Sequence, residues 1–200
     1  MKVPSSLTKF VEIFSALPGI GPRQAIRLAF FFIQQGVAFN DEVAKAILAL
    51  KRMKVCRQCF YVHQNESGLC DICGDKNRNQ KLVAIVEKET DLMSLENIGQ
   101  FHGRYLILGD LKRTGVLEAG QKLRLNSLKD WIKKELGGKA EEVIVALNPS
   151  PQGELMTNLI TEEFKDLAVR VSRLGRGIPS GGEIEFADEE TLGSALKRRE

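Results

Sequence analysis

Residues 56–73 read CRQCFYVHQNESGLCDIC and contain all four cysteines of the chain, as two C-x2-C pairs separated by ten residues. The surrounding segment, residues 55–80, has few apolar side chains, so burial alone cannot hold it together. Each C-x2-C turn presents two thiolates on one side, and four such ligands complete the tetrahedron that zinc prefers. The spacing therefore predicts one structural zinc ion (Zn²⁺), bound by Cys56, Cys59, Cys70 and Cys73.

Two disulfides or a redox dithiol are the alternatives for these cysteines. Disulfides are rare in the cytoplasm, and a redox centre needs one C-x2-C pair rather than two. Because four protein ligands leave no open coordination position, the predicted zinc ion folds the segment and does not catalyse a reaction. His63 lies between the two pairs and is predicted to be a surface residue.

Upstream of the cysteines, residues 5–54 have the apolar spacing of three helices. Ser5 or Ser6 is predicted to cap the first helix, and Pro22 to stand in the first turn of the second. Asn40 is predicted to cap the third helix, with acidic residues following it in the first turn.

The connection between the first two helices reads LPGIG at residues 17–21. Gly19 and Gly21 let backbone amides approach a phosphate at the positive end of the next helix, and Arg23 and Arg27 share one face of that helix. An ordinary helical hairpin with a glycine turn is the alternative. Residues 1–55 carry eight basic and three acidic side chains, a net charge of +5. The pattern resembles the helix-hairpin-helix family of DNA-binding modules, which implies that these two glycines and two arginines contact DNA phosphates.

Downstream of residue 80 the pattern alternates between short apolar runs and helical segments. Such alternation is typical of an α/β fold with an open, mostly parallel sheet and helices on its faces. The predicted strands are Leu82–Val86, Tyr105–Leu108, Val143–Leu147 and Val169–Val171, and the predicted helices are Thr90–Asn97, Asn126–Leu136 and Glu154–Asp166.

Acidic and polar residues follow two of these strands, where open parallel sheets place their sites. Glu87 follows the first strand, and Asn148, Ser150 and Glu154 follow the third. The arrangement resembles the Toprim domain, whose pattern of a Glu and a later Asp-x-Asp holds magnesium. Here Asn148 and Ser150 stand in place of the two aspartates, which removes two of the anionic oxygen ligands that magnesium requires. We therefore expect no phosphoryl-transfer activity.

Three other interpretations of Glu87 and Glu154 are open. They are solvated residues at a strand end and a helix start, or an acidic patch for a protein partner, or ligands of one metal ion in a nuclease or primase-like enzyme. Strong magnesium binding by the wild-type protein would favour the enzyme.

The last segment contains a glycine-rich stretch, Gly175 to Gly182, and then alternates at Ile184 and Phe186 in the manner of a short strand. Asp188 is predicted to cap a final helix. The chain has no G-x-x-x-x-G-K-[ST] phosphate loop.

Composition excludes other classes of protein. Of 200 residues, 43% are apolar and 28% charged, with a net charge of +3, values that are typical of a globular protein. The longest strongly apolar run, Leu28–Ile33, is far shorter than the roughly 20 residues of a membrane span. With no signal peptide apparent at the N-terminus, we expect a cytoplasmic protein with no membrane partner.

The order of these segments resembles the RecR family of recombination mediators over nearly the whole chain. The resemblance implies a helix-hairpin-helix domain (1–54), a zinc finger (55–80), a Toprim domain (81–174) and a Walker-B-like glycine-rich segment with a C-terminal helix (175–200). The Asn-Pro at residues 148–149 is itself typical of this family, whereas Arg23 stands where lysine is familiar.

The resemblance also implies partners. It implies a homo-oligomeric clamp, a tetramer, that binds single- and double-stranded DNA without sequence specificity at the nucleoid. It implies work with RecO, and in some bacteria RecF, to help RecA replace single-strand binding protein at single-strand gaps. By position, Arg23 and Arg27 match the family's DNA contacts, and Glu87 and Glu154 match its RecO contacts.

Overall fold

A computed structural model describes residues 3–112, 115–197 and 199 of the chain. The chain divides into two compact units, Met1–Met53 and Lys54–Glu200, and each is described by itself. The helical beginning, the cysteine cluster, the parallel sheet and the C-terminal helix of the predicted α/β fold are confirmed. No helix in the described ranges has both the length and the apolar content needed to cross a bilayer.

The described residues of the first unit form three helices and a short 3-10 turn. These are α1 (Ser5–Phe14), α2 (Pro22–Gln35), α3 (Val37–Ala49) and the turn Leu50–Arg52.

Two of the predicted caps in this unit are wrong. Pro4, not a serine, stands before α1, and its carbonyl accepts bonds from Leu7 N and Thr8 N at 3.0 and 3.1 Å. Asn40 lies inside α3, which begins at Val37. Gly36 ends α2 and starts α3 with φ of +81°, a backbone conformation that lets one glycine turn the chain without a loop.

The helices of the first unit enclose only a small core. Ala25 and Ala29 are the buried residues of α2, whereas Phe30 and Ile33 on the same helix are 51% and 65% exposed. Helices α1, α2 and α3 line an apolar groove of about 1000 Å³.

The second unit starts with the cysteine segment. An antiparallel pair, β1 (Lys54–Val55) and β2 (Val62–His63), is followed by the short helix α4 (Asp71–Gly74). The prediction that His63 lies on the surface is wrong, because only 6% of it is exposed. Side chains alternate along a strand, and in β2 Val62 faces solvent while His63 faces inward. The Nδ1 atom of His63 accepts a hydrogen bond from Asn65 N at 3.1 Å.

The sheet has four parallel strands in the order β4-β3-β5-β6. Its elements, in chain order, are β3 (Leu82–Val86), α5 (Glu89–Asn97), β4 (Arg104–Ile107), α6 (Ala119–Glu135), β5 (Ala140–Ala146), α7 (Pro151–Phe164) and β6 (Ala168–Arg173). Helix α6 begins seven residues before the predicted Asn126. Glu118 and Gln121 form a capping box at its start. Because Gln121 and Lys122 are polar, the spacing of apolar residues does not reveal this first turn.

Both faces of the sheet are covered. Val83 and Ile85 of β3 point to one face, where they pack in a cluster with Leu125 of α6 and Ile160 of α7. Ala84 and Val86 point to the other face and pack with Leu92 of α5. The continuous apolar character of β3 follows from burial on both sides.

The C-terminal segment departs from prediction at one point. Ile184–Phe186 form a 3-10 turn rather than a strand, because the described residues provide no neighbouring strand with which they pair. The predicted cap of the last helix, α8 (Glu189–Lys197), is present: Oδ1 of Asp188 accepts a bond from Thr191 N at 2.8 Å.

Candidate functional site

The four cysteine sulfurs form one cluster. All four residues are buried, none forms a disulfide, and their Sγ atoms lie within 4.8 Å of one another. Four ligands at a Zn–S distance of about 2.3 Å around a tetrahedron would lie about 3.8 Å apart. The cluster is therefore suited to bind a metal ion, and four protein ligands leave no open position on it.

Local backbone geometry builds this cluster. Phe60, directly after Cys59, has φ of +66°, which turns the chain so that Tyr61 N donates to Cys59 Sγ at 3.4 Å. Across the segment, Cys70 N donates to Cys56 Sγ at 3.5 Å. Amides that donate to sulfur stabilise thiolates, the form that binds metal.

The thiols also perturb one another. Hydrogen bonds from Cys59 and then from the other two thiols lower the pKa of Cys56 below its ordinary value. The same contact with Cys56, together with burial, raises the pKa of Cys59. A metal ion that binds the four sulfurs displaces the thiol protons into solvent, so metal binding depends on pH.

The hairpin of the first unit lies between α1 and α2. Gly19 has φ of +77°, a conformation that side chains rarely adopt. Gly21 is the N-cap of α2 and provides no side-chain acceptor, and Pro22 takes the first helical position. The first-turn amides of α2 are thus left for an external acceptor at the positive end of the helix.

Packing does not explain why residue 21 is glycine. Its φ of −87° is open to any residue, and a Cβ at this position would have no atom within 4 Å. Space beside its backbone is therefore available to an approaching ligand.

Arg23 and Arg27 extend from α2 into solvent. Both side chains are exposed, and within the described ranges neither has a carboxylate at ion-pairing distance. The structure thus brings together, on one short stretch, the two glycines and two arginines predicted to contact DNA.

Glu87 lies at the carboxyl end of β3 and is only 7% exposed. One carboxylate oxygen accepts a bond from Leu111 N at 3.2 Å, and the other accepts a bond from Asn148 Nδ2 at 3.1 Å. Lys88 Nζ lies 3.9 Å from the same carboxylate. The carboxylate is therefore satisfied by Leu111 N, by Lys88 and by Asn148, the amide that stands where the Toprim pattern has an aspartate.

Ser150, which stands in place of the second aspartate, is the N-cap residue of α7. Its Oγ accepts a bond from Gly153 N at 3.1 Å and so caps α7. A Cβ on Gly153 would lie 1.9 Å from the Asn148 carbonyl oxygen, so this turn requires glycine.

Glu154 forms ion pairs with two arginines and does not share a site with Glu87. Arg173 Nη1 lies 3.4 Å from its Oε2, and Arg176 contacts its Oε1. Arg176 also reaches Glu190 of α8 at 2.7 Å. In the described part of the chain, the cysteines are the only group of three or more cysteine, histidine or acidic residues arranged to hold a metal ion.

Sequence reasoning missed Arg173 and Arg176 as partners of Glu154. The available signal was that both arginines follow the fourth predicted strand, since parallel strands bring their carboxyl ends to the same edge of a sheet. It also missed the buried Arg104, which lies beneath Trp131 with its guanidinium 4.0 Å from the ring centroid.

Two family models match the chain. The Toprim domain matches residues 81–175, and the model described as RecR, C-terminal, matches residues 177–200.

Relatives match over almost their whole length. A recombination protein RecR of Thermus thermophilus is 40% identical over 203 residues, covering 100% of this chain and 98% of the relative. The recombination protein RecR of Roseiflexus castenholzii is 35% identical, and the match covers 98% of this chain and 94% of the relative. That of Bifidobacterium longum is 34% identical, and the match covers 97% of this chain and 95% of the relative. The cysteine cluster, the Toprim-type sheet and the C-terminal segment agree with this likeness, and the chain belongs to the RecR family.

Proposed function

We propose that this chain is a non-enzymatic DNA-binding mediator of recombinational repair. Its proposed task is to act as an oligomeric clamp with RecO, and with RecF in organisms that have it, at single-strand gaps. There it helps RecA replace single-strand binding protein on single-stranded DNA. The relatives named recombination protein RecR support the role in recombination.

The observation that carries the DNA-binding part is the hairpin. Two exposed arginines without carboxylate partners in the described ranges lie in the first two turns of a helix whose start has no side-chain cap. Phosphate contacts of this kind bind without reading sequence. Each subunit supplies few contacts, so tight binding needs several subunits on one DNA molecule.

The apolar groove of the first unit supports self-assembly. It is lined by residues such as Phe10, Phe30 and Ile33, and several large side chains beside it are exposed. Exposed apolar surface of this extent is typical of a protein interface. We propose that a second copy of the chain covers it and that the assembly is a tetramer.

The proposed metal is one structural zinc ion. Four buried thiolates are the ligand set that favours zinc over hard cations. The ion would hold β1, β2 and α4 together in a segment whose buried cluster consists of the four cysteines themselves.

The proposed contact with RecO uses the carboxyl end of the sheet. Glu154 remains partly exposed, with a side-chain relative exposure of 30%. Glu87 is proposed to act by holding Asn148, and thereby the turn that begins α7. The satisfied carboxylate of Glu87 and the paired carboxylate of Glu154 support a binding surface rather than a catalytic one. We propose that the protein acts in the cytoplasm at the nucleoid.

One experiment separates this proposal from a metal-dependent nuclease. Labelled gapped DNA is incubated with pure protein and Mg²⁺ or Mn²⁺, and the samples are run on denaturing and native gels. We expect a shifted and uncut substrate, and a further shift when RecO is added. Cleavage that disappears in Glu87→Ala would establish an enzyme, and an unshifted substrate would contradict DNA binding.

A further inference from the structure

The second unit contains a basic site of its own. Helix α6 and the cysteine segment border a cleft of about 830 Å³. Four cations line it, Arg57, Arg104, Lys122 and Lys134, against two acidic residues, Asp130 and Glu135. Within the described ranges, none of these four cations has a carboxylate within 4.0 Å. The cleft is therefore positive.

Arg104 forms the floor of this cleft and is 5% exposed. Its Nη1 donates to Gln80 Oε1 at 2.9 Å and its Nη2 donates to Gln58 Oε1. A guanidinium has five N–H donors, so the glutamines leave three of them for another acceptor. A buried charge without a counter-ion is costly, because neutral amide oxygens replace only part of its hydration.

The Trp131 ring fixes the orientation of this guanidinium. The Arg104 Cζ atom lies 4.0 Å from the ring centroid, which covers one face of the guanidinium and leaves its edge for in-plane hydrogen bonds. A planar guanidinium held in this way is suited to the oxygens of a phosphate or carboxylate. Because the side chain is already ordered before the ligand binds, binding costs little conformational entropy.

Arg57 is held at the cleft as well. Its Nη2 donates to Ser67 O at 2.8 Å, and its backbone amide donates to Gly68 O at 3.2 Å. A Cβ at Gly68 would lie 2.5 Å from Arg57 Nη2, so the arginine packs directly over a glycine. Arg57 and Gln58 are the two residues inside the first C-x2-C pair, and the folded cysteine segment therefore supplies one wall of the cleft.

Lys122 and Lys134 lie on the face of α6 that borders the cleft. Both are exposed, and the long stem of a lysine lets its ammonium group add charge to a ligand whose orientation the arginines determine. Asn126 and Ser127, on the same face, add neutral donors.

We propose that this cleft binds a phosphate group, of a free nucleotide or of a DNA strand, with Arg104 as the buried anchor. Its residues are separate from Gly19, Gly21, Arg23 and Arg27, so the inference does not depend on DNA binding by the hairpin. If the phosphate belongs to DNA, the cleft is a second contact for a strand on each subunit.

Trp131 makes the test direct, because it is the only tryptophan in the chain and lies against the anchor. The metal-loaded full-length protein is titrated with inorganic phosphate, with ADP and with a short oligothymidylate, at constant ionic strength, while tryptophan emission is recorded. We expect a saturable change. Tighter binding of the oligonucleotide assigns the phosphate to DNA, and tighter binding of ADP assigns it to a nucleotide.

The principal variant is Lys122→Gln combined with Lys134→Gln, since both side chains are exposed and neither forms an ion pair in the described ranges. We expect it to weaken binding about tenfold, as the loss of about 1.4 kcal/mol does. Lys133→Gln is the matched control, because Lys133 is exposed on α6 but does not line the cleft. Arg104→Lys retains the charge but removes the planar fork, and we expect a decrease in affinity of at least the same size.

The oligonucleotide titration is repeated with Arg23→Ala combined with Arg27→Ala. A tryptophan signal that persists there supports the cleft even if the hairpin binds no DNA. The proposal is overturned if none of the three probes changes the emission saturably. It is also overturned if the cleft variants bind as tightly as Lys133→Gln.

Discussion

The Asn148 Nδ2 atom donates to Glu87 Oε2 across 3.1 Å, and this bond joins the ends of two neighbouring parallel strands, β3 and β5. A carboxylate at position 148 would place two negative charges at this distance, an arrangement that a divalent cation or a proton must relieve. An amide removes the repulsion and satisfies the buried Glu87 directly. The hydrogen bond between Asn148 and Glu87 thus stabilises the ends of the two strands without a cation.

Asn148→Asp tests this relationship. We expect the folded protein to lose about 1.5–3 kcal/mol at neutral pH, because a charge-assisted bond becomes a like-charge contact. Added Mg²⁺ should recover part of the loss, measured as the thermal midpoint with and without the ion. Asn158→Asp, which adds the same charge to an exposed site on α7, should respond little to Mg²⁺. An unchanged midpoint in Asn148→Asp would contradict the assigned bond.

Arg23→Ala combined with Arg27→Ala tests the hairpin as a DNA-binding element. We expect weaker binding of gapped DNA and a shallower dependence of affinity on salt, by about 0.9 in the log–log slope for each phosphate that the variant no longer neutralises. Fluorescence anisotropy at several salt concentrations measures both. Lys51→Ala combined with Arg52→Ala removes the same charge elsewhere in the first unit, and an equal change of slope in the two variants would disprove a specific role for the hairpin arginines.

Gly21→Ser separates stability from binding. Serine is a better N-cap than glycine by a few tenths of a kcal/mol, so the thermal midpoint should stay the same or rise. Its hydroxyl would accept a hydrogen bond from a first-turn amide of α2 and occupy the open space beside residue 21. Because that amide would no longer be available to a phosphate, DNA affinity should fall. Retained affinity in a variant of equal stability would show that no phosphate approaches this backbone.

Removal of the metal should unfold the cysteine segment. In the metal-loaded protein, Cys70→Ser leaves three thiolates, and we expect loss of stoichiometric zinc together with a lower thermal midpoint. Chelation should lower the midpoint of the wild type in the same way, and added zinc should restore the wild type but not the variant. Stoichiometric zinc at full stability in Cys70→Ser would contradict the ligand assignment.

Glu96→Gln should alter the response to acid. Burial by itself raises the pKa of Glu96, but the bonds from Arg78, at 2.6 and 3.0 Å, outweigh it and hold that pKa below the ordinary 4.5. The folded state therefore binds this proton less readily than the unfolded state does. The stabilisation is complete above pH 4.5 and is lost as the pH falls through the lowered value.

Thermal midpoints across this acidic range provide the measurement. We expect Glu96→Gln to be less stable than the wild type at pH 7 and to lose less of its stability on acidification. Glu66→Gln, an exposed glutamate without a carboxylate–cation pair in the described ranges, should follow the wild type. Parallel acid profiles for the wild type and Glu96→Gln would exclude the proposed role of Arg78.

Much of the fold was predictable because its signals are local. The two C-x2-C pairs determine the cysteine cluster, since a turn of this spacing brings two thiolates to one side whatever the rest of the chain does. Leu82–Val86 was predicted at its observed bounds because a strand buried on both faces is a continuous apolar run. The start of α6 was missed because its first turn is polar and depends on the capping pair Glu118 and Gln121.

Local sequence signals therefore account for the three N-terminal helices, the cysteine cluster, the alternating strands and helices of the sheet and the two hairpin arginines, all of which rest on neighbours in the chain. The partners of the polar groups depend instead on how distant parts of the chain pack together. Glu87 and Asn148 are 61 residues apart in the sequence. Arg104 and Gln58, which also share a hydrogen bond, are 46 residues apart. A pattern of residue types does not specify which of many distant groups satisfies a buried charge. That choice is made by strand order and helix packing, which bring particular side chains within hydrogen-bond distance.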